Sequence, residues 1–162
     1  GTKEQKFQLP INFGPSSSLN LFKNTITVMA WVNAGQQDDL SDIVSKGDHI
    51  VIQQNNHQIT FFAGGWGQGD CTVPLPADWQ NNWHHVAGVC NGKLLQLYID
   101  GQLVSSTTLD FPSNLFTYSN WTVGGNEEFP GKRLFQGKIN HLKIFKEALS
   151  GEEIQREMRE KD

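Results

Sequence analysis

The sequence has few cysteines, and their spacing fits no disulfide framework. Two of the 162 residues are cysteines, Cys71 and Cys90, and they form neither a C-x-x-C pair nor a four-cysteine set. This excludes a disulfide-rich scaffold. Because cysteine is often buried in protein cores, two buried free thiols are the favoured interpretation, and a single disulfide between them is the alternative.

Positive charge and long apolar runs are also scarce. Thirteen Lys and Arg stand against seventeen Asp and Glu, the net charge is −4, and the longest basic run is Lys132-Arg133. We therefore expect neither nucleic acid nor an anionic membrane surface as a partner. No stretch approaches the roughly 18 consecutive apolar residues of a membrane-spanning helix, so the sequence predicts no membrane segment.

The composition is that of a folded domain. Hydrophobic residues make up 37% of the chain and charged residues 19%, which is too apolar and too low in charge for intrinsic disorder. A chain of 162 residues fits one domain, and at this size folding buries roughly 70% of the unfolded surface, so a core can form without metal or disulfide crosslinks.

Most of the chain alternates between two faces with a period of two, which is typical of β-strands. Ile26 and Val28 share one face of a run whose other face carries Met29 and Trp31, so this strand should be central in a sandwich. Further strands are predicted at residues 43–47, 50–53, 58–63, 71–75, 83–90, 94–99, 102–108, 121–124 and 137–145.

Short turns and one cap complete the predicted fold. Asn91-Gly92 should form a type I′ hairpin turn because both residues tolerate positive φ, and Asp100-Gly101 repeats the pattern. Ser150 with Glu153 three residues later forms a capping box, which predicts a short amphipathic helix. The predicted fold class is all-β, a two-sheet antiparallel jelly-roll sandwich with one short C-terminal helix.

The order of several short motifs adds a resemblance to a known family. The motifs are Ile26-Thr27-Val28-Met29-Ala30-Trp31-Val32, Ser45-Lys46-Gly47, Trp83-His84-His85-Val86-Ala87, Leu97-Tyr98-Ile99-Asp100-Gly101, Gly124-Gly125-Asn126-Glu127, Phe135-Gln136-Gly137-Lys138-Ile139-Asn140 and Ala148-Leu149-Ser150-Gly151-Glu152-Glu153-Ile154. Together they resemble the laminin-G-like jelly rolls of the concanavalin A-like lectin/glucanase superfamily. Fold does not give function, because this superfamily includes lectins, adhesion modules, hydrolase domains and spacers.

The resemblance predicts a domain at residues 7–155, with residues 1–6 and 156–162 as flanking tails. The first residues are polar and include no initiator Met, which suggests a domain excised from a larger protein. By resemblance, such modules are often attached to glycoside hydrolases such as β-galactosidases, where they bind carbohydrate or pack against the catalytic domain. The expected partners are an oligosaccharide or polysaccharide and the parent's catalytic domain, and the expected location is extracytoplasmic: periplasmic, cell-surface or secreted.

A sugar site is predicted around Trp66. Exposed aromatic rings stack on the apolar face of a pyranose while neighbouring polar groups bond its hydroxyls. Trp66 lies among Gly64, Gly65, Gly67 and Gly69 and is poorly covered by its neighbours in sequence, while Gln68 and Asp70 supply polar partners. A ring folded back onto the core is the alternative. Trp79 and Tyr118 are weaker candidate ligand contacts.

A calcium site is a further hypothesis, since pentraxin-like and laminin-G-like domains bind calcium through loop oxygens. Asn126, Glu127 and Glu128 resemble in position the acidic calcium loop of pentraxins, and Asp38-Asp39 and Asp42 should lie in another loop that could approach them. However, the family's two structural carboxylates are replaced here by Phe13 and Asn140. The alternative is that these are ordinary solvated loop acids, and no cofactor is required.

Catalysis by the domain itself is disfavoured. The glucanase relatives carry Glu-x-Asp-x-x-Glu on one strand, and no such strand is present. His84, His85 and Cys90 share a predicted strand. Histidines in a strand are more often held by structural hydrogen bonds than paired with a catalytic cysteine, so a Cys-His catalytic pair is disfavoured. The favoured function is a non-catalytic carbohydrate-binding module. The alternatives are a structural or interdomain spacer, or a protein-interaction module, and less favoured is a catalytic glycosidase domain.

Overall fold

The computed structural model describes residues 11–13 and 22–161. Within these residues eleven strands precede one helix. They are β1 (Ile11–Phe13), β2 (Thr25–Ala34), β3 (Ser41–Lys46), β4 (Ile50–Gln54), β5 (Gln58–Ala63), β6 (Cys71–Pro74), β7 (Trp83–Asn91), β8 (Leu94–Ile99), β9 (Gln102–Thr108), β10 (Trp121–Val123), β11 (Gly137–Phe145) and α1 (Gly151–Arg159). The strands follow the alternating segments of the sequence closely.

The strands form two antiparallel sheets, which confirms the predicted jelly-roll sandwich. In the described part of the chain one sheet has six strands in the order β1-β10-β3-β4-β5-β6, and the other has five in the order β11-β2-β7-β8-β9. As expected, β2 is central in its sheet, because it pairs with β11 on one side and β7 on the other.

The main core lies between the two sheets. It takes alternate positions from each strand, for example Ile52 of β4, Phe61 of β5 and Cys71 of β6. The positions between them, such as Gln53 and Thr60, therefore belong to the outer face of the six-stranded sheet. This alternation determines which side chains can reach a ligand there.

Both predicted hairpins are present, but the first uses a different turn. Asn91 pairs with Leu94, so the two turn residues are Gly92 and Lys93, and of these two only Gly92 has positive φ, at 66°. The expected type I′ turn at Asn91-Gly92 is therefore wrong, because strand β7 includes Asn91. Asp100 and Gly101 do have positive φ, 52° and 79°, as the type I′ pattern requires.

Helix α1 begins at the predicted capping box. The Ser150 side chain accepts a hydrogen bond from the Glu153 backbone, and the Glu153 side chain accepts one from the Ser150 backbone. The helix covers a second apolar cluster on the outer face of the five-stranded sheet, which includes Met29, Ala87 and Ile154. The two outer faces of the sandwich are thus unlike: one is covered by a helix, and the other carries polar side chains.

Helix α1 extends into the C-terminal tail predicted at residues 156–162. The helix continues to Arg159, and its end is anchored on the five-stranded sheet. Trp31 Nε1 donates a hydrogen bond to the Met158 carbonyl at 3.0 Å, and Lys143 Nζ donates to the Glu157 carbonyl at 2.8 Å. Residues 156–159 are therefore part of the folded unit, whereas the predicted tail at residues 1–6 lies outside the described residues.

The two cysteines are free and buried, in agreement with the favoured interpretation. Cys71 Sγ donates to the Leu95 carbonyl at 3.4 Å, and Cys90 Sγ donates to the Asn24 carbonyl at 3.5 Å. Burial raises the pKa of both thiols, that of Cys90 to about 11. In the described residues, no helix has both the length and the apolarity needed to cross a lipid bilayer.

Candidate functional site

Trp66 projects from the turn between β5 and β6. Its side chain is 64% exposed, and the edge of its ring meets the buried ring of Phe62 with the centroids 5.6 Å apart. This contact fixes the indole while leaving a large part of it open to solvent. The structure therefore places Trp66 on the surface, as the sequence predicted.

The Trp66 turn, residues Gly64 to Gly69, is held by close packing against the segment after β9. A Cβ atom at Gly64 would collide with Ser113 Oγ, and one at Gly69 would lie 2.7 Å from a methyl carbon of Leu109. Both glycines also have positive φ, 104° and 131°. Glycine is thus required at both positions, since a side chain would push the two segments apart.

The Trp66 groove is a cavity of about 290 Å³ beside the exposed indole. Its floor is the outer face of β4, β5 and β6, where Gln53, Thr60 and Thr72 occupy successive strands. The Thr60 and Thr72 hydroxyl oxygens are 2.9 Å apart, and Thr72 Oγ1 donates to Asp70 Oδ1 at 2.7 Å. Trp66 and Asp70, both predicted as ligand contacts, therefore line one groove.

The polar groups of the Trp66 groove are amides, hydroxyls and one carboxylate. Gln58 and Asn55 add side-chain amides at its rim, and among the described lining residues Asp70 is the charged one. Gln53 is 6% exposed, and its Oε1 finds no hydrogen-bond partner within the described structure. Gln53 therefore contributes a buried acceptor without a partner to the floor of the groove, a state that costs free energy.

Gln68 lies on the other side of the Trp66 turn. It lines a second cavity of about 320 Å³, the Phe111 groove, together with Asp110, Phe111 and Asn114. The sequence placed Gln68 beside Trp66 in one site, whereas the structure assigns the two side chains to neighbouring grooves. The sequence analysis missed Phe111, whose ring is 78% exposed; the adjacent Pro112 and Asp110, which are poor strand formers, were the available signal.

Trp79 is not available to a ligand, which corrects the prediction for this residue. Its side chain is 2% exposed, its Nε1 donates to Gln54 Oε1 at 3.1 Å, and its ring stacks on His84 with the centroids 5.0 Å apart. It packs in the main core. The indole is buried because its single polar atom has a buried partner.

Tyr118 is exposed but separate from both grooves. Its side chain is 86% exposed, and its ring meets Phe116, itself 45% exposed, at a centroid distance of 4.8 Å. Neither residue lines the Trp66 groove or the Phe111 groove. The structure therefore does not bring Tyr118 together with the other predicted ligand contacts.

The residues predicted to bind calcium, Asn126, Glu127 and Glu128, form hydrogen bonds with other groups of the chain. The Asn126 side chain is buried; its Nδ2 donates to Asp42 Oδ2 at 2.9 Å and to the Gly47 carbonyl at 2.8 Å, and its Oδ1 accepts from the Glu128 backbone at 3.0 Å. Glu127 accepts from the Asn120 backbone at 2.6 Å and from Asn120 Nδ2 at 3.1 Å.

These contacts do not fit a calcium site. Glu128 Oε2 accepts from the Asp48 backbone, so the two loop carboxylates are directed at backbone donors, and Asn126 turns its donor toward Asp42. Calcium needs six to eight oxygen ligands facing one point. Among residues 11–13 and 22–161 no group of three or more His, Cys, Asp and Glu is arranged to hold a metal ion.

The expected approach of the Asp42 segment to this loop is present, although Asp42 lies in β3 and not in a loop. The Asp42 carboxyl is fully buried, and Arg133 Nη1 lies 3.8 Å from its Oδ2 and 3.0 Å from Asp48 Oδ1. Burial raises the pKa of Asp42 to about 6, while the hydrogen bond from Asn126 and the charge of Arg133 partly oppose this shift.

A third groove, lined by residues from Asp38 to Gln136, is less suited to a sugar. It has a volume of about 740 Å³ and is lined by acidic Asp38 and Asp39 and by basic Lys132 and Arg133. The ring of Phe129, which also lines it, is covered by the Arg133 guanidinium at 3.7 Å from the ring centroid. This groove therefore has charges of both signs, and one face of its Phe129 ring is already covered by Arg133.

Many solved structures are similar to this chain, among them the following two. One, from Bacteroides ovatus, is called a "putative carbohydrate binding protein"; it is 17% identical with a TM-score of 0.76 over 96% of this chain and 46% of its own. The other is a native heptameric SAP-like pentraxin from Limulus polyphemus, 12% identical with a TM-score of 0.65 over 82% of this chain and 69% of its own. The chain thus spans a little under half the length of the Bacteroides protein.

Sequence comparison gives the family. No curated protein matches the chain significantly. A laminin G family model described as "Concanavalin A-like lectin/glucanases superfamily" matches residues 11–155, which include both sheets and the first half of α1. The motifs from Ile26 to Ile154 lie within this match. The chain therefore belongs to the concanavalin A-like lectin/glucanases superfamily.

Proposed function

We propose that this domain is a non-catalytic carbohydrate-binding module and that its sugar site is the Trp66 groove. The observation that carries the proposal is the 64% exposed indole of Trp66 next to a groove of amides, hydroxyls and one carboxylate. A pyranose has an apolar face and a rim of hydroxyl groups, which these two kinds of surface complement. The name of the similar Bacteroides ovatus protein agrees with this function.

The ligand class follows from the charges of the groove. Asp70 is its charged side chain among the described residues, and neither Lys nor Arg lines it. A carboxylate accepts hydrogen bonds from hydroxyls but repels an anionic sugar. The chain also carries a net charge of −4. We therefore propose a neutral sugar as the ligand, in preference to uronic acids, sialic acids or sulfated glycans.

The parent protein is part of the same proposal. We propose that the module belongs to an extracytoplasmic glycoside hydrolase, where it holds the polysaccharide near the catalytic domain. The similar Bacteroides protein is more than twice as long as the part that matches this chain. Such an arrangement raises the local concentration of substrate through a second, linked binding event.

The experiment is a titration of the isolated domain with a panel of neutral and acidic oligosaccharides, followed by tryptophan fluorescence and calorimetry. We expect saturable binding of one class of neutral sugar, lost in Trp66→Ala and retained in Tyr118→Ala. Tyr118 is a matched control because it is also an exposed aromatic residue but lies outside the groove. Both variants should unfold within a few degrees of the wild type.

The second candidate function is an interdomain or protein-interaction module. The exposed pair of Phe116 and Tyr118 favours it, because exposed aromatic rings are common in protein interfaces. If no sugar binds and joining the domain to its parent protects Tyr118 from solvent, this second function replaces the first. Turnover of a chromogenic glycoside by the isolated domain would overturn both.

A further inference from the structure

The Phe111 groove has the same chemistry as the Trp66 groove. Its lining includes an exposed aromatic ring from Phe111, a carboxylate from Asp110 and amides from Gln68 and Asn114. Its volume, about 320 Å³, is close to the 290 Å³ of the Trp66 groove. Neither contains Lys or Arg among the described lining residues, so both suit the same class of neutral ligand.

The two grooves meet at the Trp66 turn. This turn gives Trp66 to one groove and Gly64, Gly67 and Gln68 to the other. A Cβ atom built at Gly67 would have no neighbour within 4 Å, so the turn carries no side chain at this point and its surface is open. A ligand chain that leaves one groove can therefore pass over the glycines into the other.

The relative position of the grooves is fixed by buried contacts. Ser113 Oγ donates to the Ala63 carbonyl at 2.8 Å, and the His49 carbonyl accepts from the Gly64 and Gly65 backbones at 2.9 and 3.0 Å. Gly69 is packed against Leu109. The Ser113 and Leu109 contacts join the Trp66 turn to the segment that bears Phe111, so the two segments are preorganised relative to each other.

Two polar side chains of the Phe111 groove, Gln68 and Asp110, are free to bind a ligand, whereas Asn114 Oδ1 accepts from the Phe116 backbone. The Gln68 and Asp110 side chains are exposed and are not engaged in hydrogen bonds with other described residues. Phe111 is 78% exposed, and of the large hydrophobic residues whose burial is described only Tyr118 is more exposed. An exposed ring together with uncommitted polar groups is the pattern expected of a binding surface.

We propose that one neutral oligosaccharide chain crosses the Trp66 turn and occupies both grooves, with Phe111 as a second stacking platform. This inference rests on the proposed function of the Trp66 groove and adds a second binding subsite and a preference for chains over single sugars. Two linked contacts on one ligand strengthen binding more than either contact alone. The affinity should therefore increase with chain length until both grooves are filled.

The test uses β-1,4-linked gluco-, xylo- and galacto-oligosaccharides of two to six units. They are titrated calorimetrically into the wild type, Phe111→Ala, Gln68→Ala, Trp66→Ala and Tyr118→Ala. For the class that binds, we expect affinity to rise with length in the wild type. Loss of the Phe111 ring should weaken binding of the longest chain about tenfold and leave the disaccharide unchanged. Gln68→Ala should act in the same direction, and Tyr118→Ala should match the wild type.

The outcomes separate this inference from the proposed function. Two outcomes would overturn the second subsite: an affinity that is independent of chain length, or an unchanged affinity of Phe111→Ala for the longest chain. If Trp66→Ala still abolishes binding in either case, the proposed site in the Trp66 groove is retained. Absence of binding by every sugar of the panel overturns the proposed function and this inference with it. Because Phe111 and Gln68 are surface residues, loss of folding is not expected to confuse the result.

Discussion

Asn126 Nδ2 donates a hydrogen bond to Asp42 Oδ2 at 2.9 Å, between residues 84 positions apart. The bond joins the loop after β10 to strand β3, and it places a buried amide against a buried carboxylate. The same amide donates to the Gly47 carbonyl at 2.8 Å. A loop predicted to bind a metal ion is thus held by the chain's own hydrogen bonds.

Asp42 should make stability depend on pH in the unusual direction for an acid. Burial raises its folded pKa from 3.8 to about 6, so the folded state binds a proton more tightly than the unfolded state. The contribution of Asp42 to the stability of the folded state therefore becomes more favourable as the pH falls from above 6 to below 4. In urea unfolding, the free energy of unfolding of the wild type relative to that of Asp42→Asn should rise by about 3 kcal/mol across this window. A constant difference would contradict the buried carboxylate.

Calcium should have no effect on folding. The carboxylates of Glu127 and Glu128 accept hydrogen bonds from backbone groups of Asn120 and Asp48, and metal binding would have to break these bonds. Thermal unfolding in millimolar Ca²⁺ and in excess chelator should give the same midpoint. A calcium-dependent increase lost in Glu127→Gln would show that the loop rearranges to bind the ion.

The pKa values of the adjacent histidines His84 and His85 should be shifted in opposite directions. Burial alone would lower the pKa of His84, but its hydrogen bonds to Asp100 and Asp78 outweigh this and raise it. Burial lowers the pKa of His85 to about 4. NMR titration of the imidazole protons should show this divergence, and Asp100→Asn should lower the pKa of His84.

The interaction between His84 and Asp100 also determines how the free energy of unfolding changes with pH. A raised folded pKa means that the His84 contribution is fully present below the unfolded value of 6.5 and is lost as the pH rises through the folded value. Asp100→Asn should therefore destabilise the protein more at pH 5.5 than at pH 9 in matched urea titrations. An equal loss at both values would assign the effect to the Asp100 turn instead of the ion pair.

The two tryptophans Trp66 and Trp79 should respond very differently to truncation. Trp79 is 2% exposed and packed in the main core, so Trp79→Ala should cost about 3 to 5 kcal/mol. Trp66 is 64% exposed and contacts Phe62 by its edge, so Trp66→Ala should cost about 1 kcal/mol or less. Chemical denaturation checks both values, and similar losses would contradict the assigned burial.

The thiols should be inert in the folded protein. Both cysteines are buried and free, and burial raises their pKa, so little thiolate is available to react. A thiol reagent should modify both only after unfolding, and a reductant should leave the thermal midpoint unchanged. A midpoint that falls in reductant would reveal a disulfide.

The sequence predicted the strands well because burial on a sandwich imposes a period of two along each strand. It predicted the exposure of Trp66 because its glycine neighbours offer no cover. It failed at Trp79, since the covering groups, Gln54 and His84, come from distant parts of the chain. Similarly, the continuation of α1 to Arg159 depends on contacts with Trp31 and Lys143, which charge patterning at the end of the chain does not reveal.

The helix α1 gives the molecule a defined direction. It covers the outer face of the five-stranded sheet, whereas the floor of the Trp66 groove is the outer face of the six-stranded sheet, on the far side of the sandwich. A dye or surface tether attached at the exposed Arg156 would therefore leave the groove facing away from the support. The module can be displayed on a solid surface in one orientation without altering any residue that lines a groove.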